Sequence, residues 1–431
     1  MITYFRYICL IVIILAIPSC NPLTTGTKSV KERNVADIYN PSRPTLHPDI
    51  SILHINDSSS IAYVRIFPGE LLYSLANEDG VLRAKLRVHY ELRSIKTDNP
   101  EGVFIDSASV SRYLKKADAR NSYVIGLPLK AEYGTKYSIK IEINDLLRNN
   151  FSESYKIIDK TSRFEDQNFN LLSAVNNYPA FTNVFARGEF FKLRFNQLGY
   201  DSILVEYFSL DRTLPRPAFS TVPEIPLKEY PDTSYFYPLN DTMIYQLPQT
   251  GIYHFRVSQE SPAGMTLFNF GENFPKLRTP DDLLGPLVYL TTSSEFRDLR
   301  METNRKYTID KFWLGLNSDL ESSKELIRVY YNRVLYANLF FTSYKEGWKT
   351  DRGMIYIIFG PPRVLQKSIN QEIWTYFSRR ASDKIEFIFN RKENKFTVYD
   401  YQLDRNVGTS SFWREAIQSW RKGKIYSIET Q

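Results

Sequence analysis

Leu82-Arg83-Ala84-Lys85-Leu86-Arg87-Val88-His89-Tyr90-Glu91-Leu92 alternates without a break. Leu82, Ala84, Leu86, Val88, Tyr90 and Leu92 share one face, and Arg83, Lys85, Arg87, His89 and Glu91 share the other. A period of two held this long marks a β-strand with one face packed and the other in water, the habit of antiparallel sheets. Weaker copies flank it at 60–67, 123–129 and 137–143, with turn signals at Asp79-Gly80 and Tyr133-Gly134. Short strands at this spacing predict a β-sandwich over residues 51–161.

The pattern returns over 162–275. Phe191, Leu193 and Phe195 alternate with Lys192 and Arg194, and 203–208 reads as a more buried run. Thr250-Gly251-Ile252-Tyr253-His254-Phe255-Arg256-Val257 reads as the closing strand of an immunoglobulin-like or fibronectin-like domain. Residues 213–238 are rich in proline and predict an extended loop or sheet edge. Two antiparallel β-sandwiches in tandem are therefore expected.

Beyond Thr279 the grammar changes. Thr279-Pro280-Asp281-Asp282 supplies a capping hydroxyl, a proline for the first helical position and acids for the positive end of the helix dipole. Helices are predicted at 294–301, 305–314 and 322–341, the last with a stripe of Leu326, Tyr330, Val334, Ala337 and Phe341. Strands are predicted at 354–359, 372–377, 385–389 and 396–401, then a helix at 411–422 that stops at Gly423. Trp313, Trp348, Trp374, Trp413 and Trp420 are all the tryptophans of the chain and all fall here. Residues 279–431 thus form an α+β domain with its own aromatic core, and the whole is multidomain and β-rich.

The N-terminus carries a different message. Arg6 precedes the apolar run Ile8-Cys9-Leu10-Ile11-Val12-Ile13-Ile14-Leu15-Ala16-Ile17, which is too short to span a bilayer and suits a signal peptide. Ile17-Pro18-Ser19-Cys20 then resembles a lipobox, which implies cleavage after residue 19 and lipidation of Cys20. Cys9 leaves with the signal, so Cys20 is the one thiol of the mature chain and no internal disulfide is expected. Several acyl chains on one residue give stable attachment to a bilayer. Residues 21–50, broken by Pro22, Pro41, Pro44 and Pro48, predict a tether with a flexible reach of about 30 Å, its far end from Ile38 ordered against the first domain. The net charge of +7 is modest and its charges are interleaved, which points away from nucleic acid. Asn21 is not the aspartate that often retains lipoproteins in the inner membrane, so the periplasmic face of the outer membrane is the expected location.

One motif carries recognition. Gly347-Trp348-Lys349-Thr350-Asp351-Arg352-Gly353 follows the long helix, and Gly360-Pro361-Pro362 ends the next element. With Phe312-Trp313, the segment 330–338 and Glu372-Ile373-Trp374-Thr375-Tyr376, this resembles the GWxTD domain family of Gram-negative envelope proteins over about 279–400. After Phe312-Trp313 the family often shows an Arg-Asp-Pro step, whereas this chain has Leu314-Gly315-Leu316-Asn317. The resemblance implies a domain without an established reaction.

From the residues alone the motif reads as structural. Gly347 would take a positive φ and end the helix. Trp348 would plug the core. Thr350 and Asp351 would bond backbone N–H groups before a strand. Arg352 would pair with Asp351 or a helix C-terminus, and Gly360-Pro361-Pro362 would force a rigid exit. The functional alternative has Asp351, Arg352 and Arg333 lining a pocket for an anionic or carbohydrate ligand.

The chain has four histidines: His47, His54, His89 and His254. None stands at zinc-ligand spacing, and there is no HExxH, G-x-S-x-G or phosphate-loop motif. No cofactor, metal or catalytic residue is selected. Asp106-Ser107-Ala108, Asp201-Ser202-Ile203 and Asp241-Thr242-Met243 match a short O-glycosylation pattern of some envelope-rich bacteria. The expected role is a non-enzymatic structural or interaction component of an outer-membrane assembly. A glycan- or peptidoglycan-binding module is the alternative, and an envelope hydrolase a more distant one.

Overall fold

Strict alternation in the sequence becomes two sheets over one core. The strands are β1 (Asp49–His54), β2 (Ser59–Ile66), β3 (Ser74–Leu75), β4 (Leu82–Lys96), β5 (Asn99–Lys115), β6 (Tyr123–Lys130), β7 (Lys136–Asp145) and β8 (Asn150–Asp159). One sheet runs β1-β2-β6; the other runs β3-β4-β7-β8, with β5 on the far side of β4. All pairings are antiparallel. Ala84, Leu86, Val88, Tyr90 and Leu92 of β4 meet Val64 and Ile66 of β2 and Leu127 of β6 in a common core. Each Val, Leu or Ile among them contributes about 1.5–3 kcal/mol when fully buried.

This computed structural model describes residues 34–426, leaving out 44, 76–79, 97–98, 119–121, 149, 176, 198, 224, 241, 317–318, 369, 378–383 and 406. Cys20 and the apolar run before it lie outside the described residues. Among the described residues no helix is long and apolar enough to cross a membrane.

The second block holds β9 (Phe169–Ser173), β10 (Phe190–Phe195), β11 (Ser202–Phe208), β12 (Thr233–Pro238), β13 (Tyr245–Gln246), β14 (Gly251–Arg256) and β15 (Met265–Asn269). Sheets β13-β10-β9 and β12-β11-β14-β15 share a core of Phe191, Leu193, Val205, Tyr253 and Phe255. The strand expected to close this block, β14, is interior; β15 takes the edge. His254 of β14 is buried. Its ring nitrogens lie 2.9 Å from Thr266 Oγ1 and 2.9 Å from the Pro262 carbonyl. The reason is that the outer face of β14 is covered: Phe208, Ile252 and Phe268 pack on Tyr344 and Phe396 of the third block. His54 is buried too, between Ser60 Oγ and the Asp159 carbonyl.

The first two blocks meet at residues 159–168. Lys160 is buried there, its ammonium donating to the carbonyls of Asn56, Ser59 and Ala131. A cation this deep survives only because three oxygens replace its water.

The third block contains α1 (Pro280–Leu284), α2 (Ser293–Met301), α3 (Arg305–Leu314), α4 (Leu320–Phe341), α5 (Asp351–Phe359), β16 (Val364–Lys367), β17 (Gln371–Phe377), β18 (Lys384–Arg391), β19 (Tyr401–Leu403) and α6 (Ser410–Arg421). Thr279 caps α1 in a capping box with Asp282, as its sequence predicts. The sheet runs β16-β17-β18-β19.

Two expectations fail here. Residues 354–359, read as a strand, form the body of α5, and the strand read at 396–401 begins only at Tyr401. A short apolar run, Met354-Ile355-Tyr356-Ile357-Ile358-Phe359, does not declare its period; Thr350, accepting the Gly353 N–H at its N-terminus, makes it a helix. Every residue of α5 is buried, and its body from Met354 to Phe359 is apolar on every side.

The segment 34–48, read as tether with only its far end from Ile38 ordered against the first domain, is instead a strap seated largely on the third block. The Val35 N–H donates to the Leu365 carbonyl at 3.0 Å, and Asn34 Oδ1 accepts the Leu365 N–H at 2.9 Å. Val35, Ala36 and Tyr39 enter the third block's core, while Leu46 enters that of the first.

Candidate functional site

The motif residues come together as one buried joint. Gly347 does not take a positive φ. Its role is close approach: a Cβ there would stand 1.9 Å from the Ala337 carbonyl oxygen on α4. Gly353 has the same role one layer on, where a Cβ would stand 1.9 Å from the Gly347 oxygen. Three backbone layers thus stack where no side chain fits. Asn338 of α4 fastens the stack, accepting the Trp348 N–H at 3.0 Å and donating to the Pro275 carbonyl at 3.0 Å. Thr350 Oγ1 donates to the Gly347 carbonyl at 2.8 Å and accepts the Gly353 N–H at 3.0 Å.

Trp348 is partly buried rather than a core plug. Its ring meets Tyr289 edge-on, its carbonyl accepts the Tyr289 hydroxyl at 2.7 Å, and Lys349 lies over its face.

The two charged residues part company. Asp351 is held by Arg405 through both carboxylate oxygens, at 2.5 and 3.0 Å, and also accepts the Leu403 N–H at 2.8 Å. Arg352 turns the other way and donates to Glu372 at 3.0 Å and to the Tyr399 carbonyl at 3.1 Å. The expected Asp351–Arg352 pair does not form, because successive residues of a helix point about 100° apart. Arg333 donates to the carbonyls of Ile357 and Ile358, satisfying the end of α5, and to that of Tyr426. Gly360 has φ +82°, and a Cβ would lie 2.8 Å from the Arg333 guanidinium. With Pro361 and the buried Pro362 it ends α5 sharply, as expected of that step.

Glu372 was not singled out by the sequence, yet it is the centre of the joint. It is fully buried and receives Tyr39 Oη at 3.0 Å, Arg352 at 3.0 Å, Lys367 at 3.1 Å and Trp374 Nε1 at 3.0 Å. Burial acts to raise its carboxyl, but Lys367 and Arg352 overcome that and hold it at about 2. Burial and the Glu372 charge push the Tyr39 hydroxyl up to about 12. Glu372 therefore ties strap, α5 and sheet by charge-assisted bonds. Tyr39 and Arg405 were also invisible in the motif, since their partners Glu372 and Asp351 lie 333 and 54 positions away.

Beside this joint opens a cleft of about 630 Å³. Tyr39, Tyr336, Phe340, Tyr399 and Tyr401 supply its aromatic wall, and Arg352, Lys367 and Lys156 its cations. Lys156 also donates to the Tyr399 hydroxyl. Of the three residues expected to share one ligand pocket, only Arg352 reaches this cleft; Arg333 lines another hollow of about 430 Å³, with Pro361 and Pro362. Among the described residues no cluster of His, Cys, Asp and Glu is arranged to hold a metal ion.

The fold and this joint define a β-rich chain of several antiparallel sheets that ends in an α+β unit built around a buried, glycine-layered turn. Residues 251–422 match the family model of the GWxTD domain. The matched region starts at β14, inside the second block, which fits the packing of β14 and β15 on Tyr344 and Phe396. No curated protein matches the chain. Solved structures that match include Bacteroides uniformis β-glucuronidase 2 covalently bound to cyclophellitol-6-carboxylate aziridine, at 14% identity, 27% of this chain, 14% of that chain and a TM-score of 0.18. Red sea bream transglutaminase matches at 9% identity, 52% of this chain, 31% of that chain and a TM-score of 0.18. This chain spans less than a third of either protein, and scores of this size define no common fold.

Proposed function

We propose that the chain is an envelope lipoprotein, acylated at Cys20, that acts as a non-enzymatic structural and interaction component of an outer-membrane protein assembly on the periplasmic face. The two β blocks, read as immunoglobulin- or fibronectin-like modules, serve as spacers and docking surfaces. The observation that carries this reading is the use of the motif's polar groups inside the fold. Asp351 is spent on Arg405, Arg352 on Glu372 and Thr350 on the Gly347–Gly353 stack. They build a rigid platform and bind the strap to it. Asn34 is bonded to Leu365 on β16, so in a chain tied to a bilayer at Cys20 only residues 21–33 separate the anchor from the strap. Crosslinking in cells, followed by purification in mild detergent, tests the role: one or more envelope proteins at near-stoichiometric amount are expected, and recovery of the chain alone contradicts it.

A glycan- or peptidoglycan-binding role is favoured by one observation, the aromatic and cationic lining of the cleft beside Glu372. Titration with soluble peptidoglycan fragments decides it, through quenching of tryptophan fluorescence that Tyr401→Ala abolishes.

A further inference from the structure

Strand β5 is a long sheet edge with an unused side. It pairs with β4, and no strand among the described residues pairs with its other edge. Its middle reads Asp106-Ser107-Ala108-Ser109-Val110-Ser111-Arg112-Tyr113, and all but Asp106 and Val110 are exposed. Folded proteins usually blunt such an edge with Pro, Lys or a bulge. Here the irregularity in the β4–β5 ladder falls before the run, next to Asp106, and the run itself holds neither Pro nor Lys. Another sheet edge, β12, is shorter and ends in Pro238.

We infer that β5 pairs antiparallel with β5 of a second copy, about a two-fold axis at Ser109, so that one sheet runs through both copies. The sequence is self-complementary in that register. Asp106 comes opposite Arg112 of the second copy, Ser107 opposite Ser111, Ala108 opposite Val110, and Ser109 opposite itself. The symmetry makes each unlike pair occur twice, so the Asp106–Arg112 attraction counts twice. The serines are short enough for the strands to approach. Slipping the register by one or two residues separates both charge pairs, so the charges also fix the alignment. Among the described residues neither charge is paired with an opposite charge. Asp106 accepts the Tyr90 hydroxyl at 3.3 Å and the Ser107 N–H at 2.9 Å, and Arg112 donates to the Ser111 carbonyl at 3.0 Å. Main-chain bonds along the edge supply affinity, and the side chains supply choice of partner. The inference stands on residues of the first block and does not depend on the lipid anchor.

The test uses the full chain in mild detergent, with mass measured by light scattering across a dilution series. The wild type is expected to dimerise. Ser109→Cys is expected to give, under mild oxidation, a covalent dimer whose crosslinked peptide joins position 109 to position 109. Asp106→Arg and Arg112→Asp each turn two attractions into two repulsions, and each is expected to raise the dimer dissociation constant about tenfold. The double exchange D106R/R112D is expected to restore it. Circular dichroism of each variant verifies folding. A wild type that stays monomeric at the highest concentration reached overturns the inference. So does a dimer that fails to crosslink at position 109, and so does a double exchange that does not recover affinity.

Discussion

Asp351→Asn probes the joint most sharply, because it keeps the shape of the side chain and removes only the charge. Asp351 is 5% exposed, and its carboxylate faces two guanidinium nitrogens and the Leu403 N–H. An amide there must turn its NH₂ toward one of these donors, and Arg405 loses its anion while staying nine-tenths buried. Breaking a buried pair from one side costs about 3–5 kcal/mol. For cooperative unfolding of about 400 residues the unfolding entropy is about 0.8 kcal/mol per kelvin, and the melting temperature falls by about 4–6 °C. Removing both partners, in Asp351→Leu with Arg405→Leu, leaves no orphaned charge, so the double variant is expected to be more stable than Asp351→Asn. Thermal unfolding followed by near-ultraviolet circular dichroism and tryptophan fluorescence reads both. An unchanged melting temperature for Asp351→Asn, or a double variant that falls by the sum of the single changes, refutes the reasoning.

Gly347→Ala drives a methyl group into the Ala337 carbonyl, a backbone atom that cannot swing aside, and is expected to cost about 3 kcal/mol or more by urea unfolding. Gly134→Ala, which meets nothing within 4 Å and pays only for its φ of +85°, is expected to cost about 1 kcal/mol in the same assay. Glu372 is held at about 2, below its ordinary 4.5. Its contribution is therefore complete above about pH 4.5 and lost as pH falls through 2, and the stability gap between wild type and Glu372→Gln is expected to narrow over that window. Glu165 moves the other way: burial, with Asp159 and Asp166 nearby, pushes it up to about 7. Its charge destabilises the fold above pH 7, and this is relieved as pH falls through 7 toward 4.5. Glu165→Gln is thus expected to melt higher than wild type at pH 8 and alike at pH 4.5.

Local periodicity made some of this architecture legible. The face from Ala84 to Leu92 could be read because one side of β4 is core and the other is water. The stripe from Leu326 to Phe341 on α4 was readable for the same reason. Legibility fails where an element is buried on every side. α5 offers no polar face, and β14 has both faces covered, so neither its interior position nor the burial of His254 shows in the alternation. It fails again where a contact joins distant residues: Asp351 finds Arg405 54 positions on, and Tyr39 finds Glu372 333 positions on. Of the strap, only an ordered far end from Ile38 was legible; its seat on the third block was not, since Val35, Ala36, Tyr39 and Leu46 are scattered among prolines and polar residues with no period. The motif glycines were visible, but their cause was not. Close approach of Gly347 to Ala337, rather than a left-handed turn, is a property of α4 and α5 together.

The mass of the native N-terminal peptide puts the anchored-scaffold account at greatest risk. Protein isolated from membranes of its own host is expected to begin at Cys20 and to carry diacylglyceryl and amide-linked acyl mass on that residue. A first residue elsewhere, or an unmodified Cys20 in protein that partitions with the aqueous phase, contradicts it.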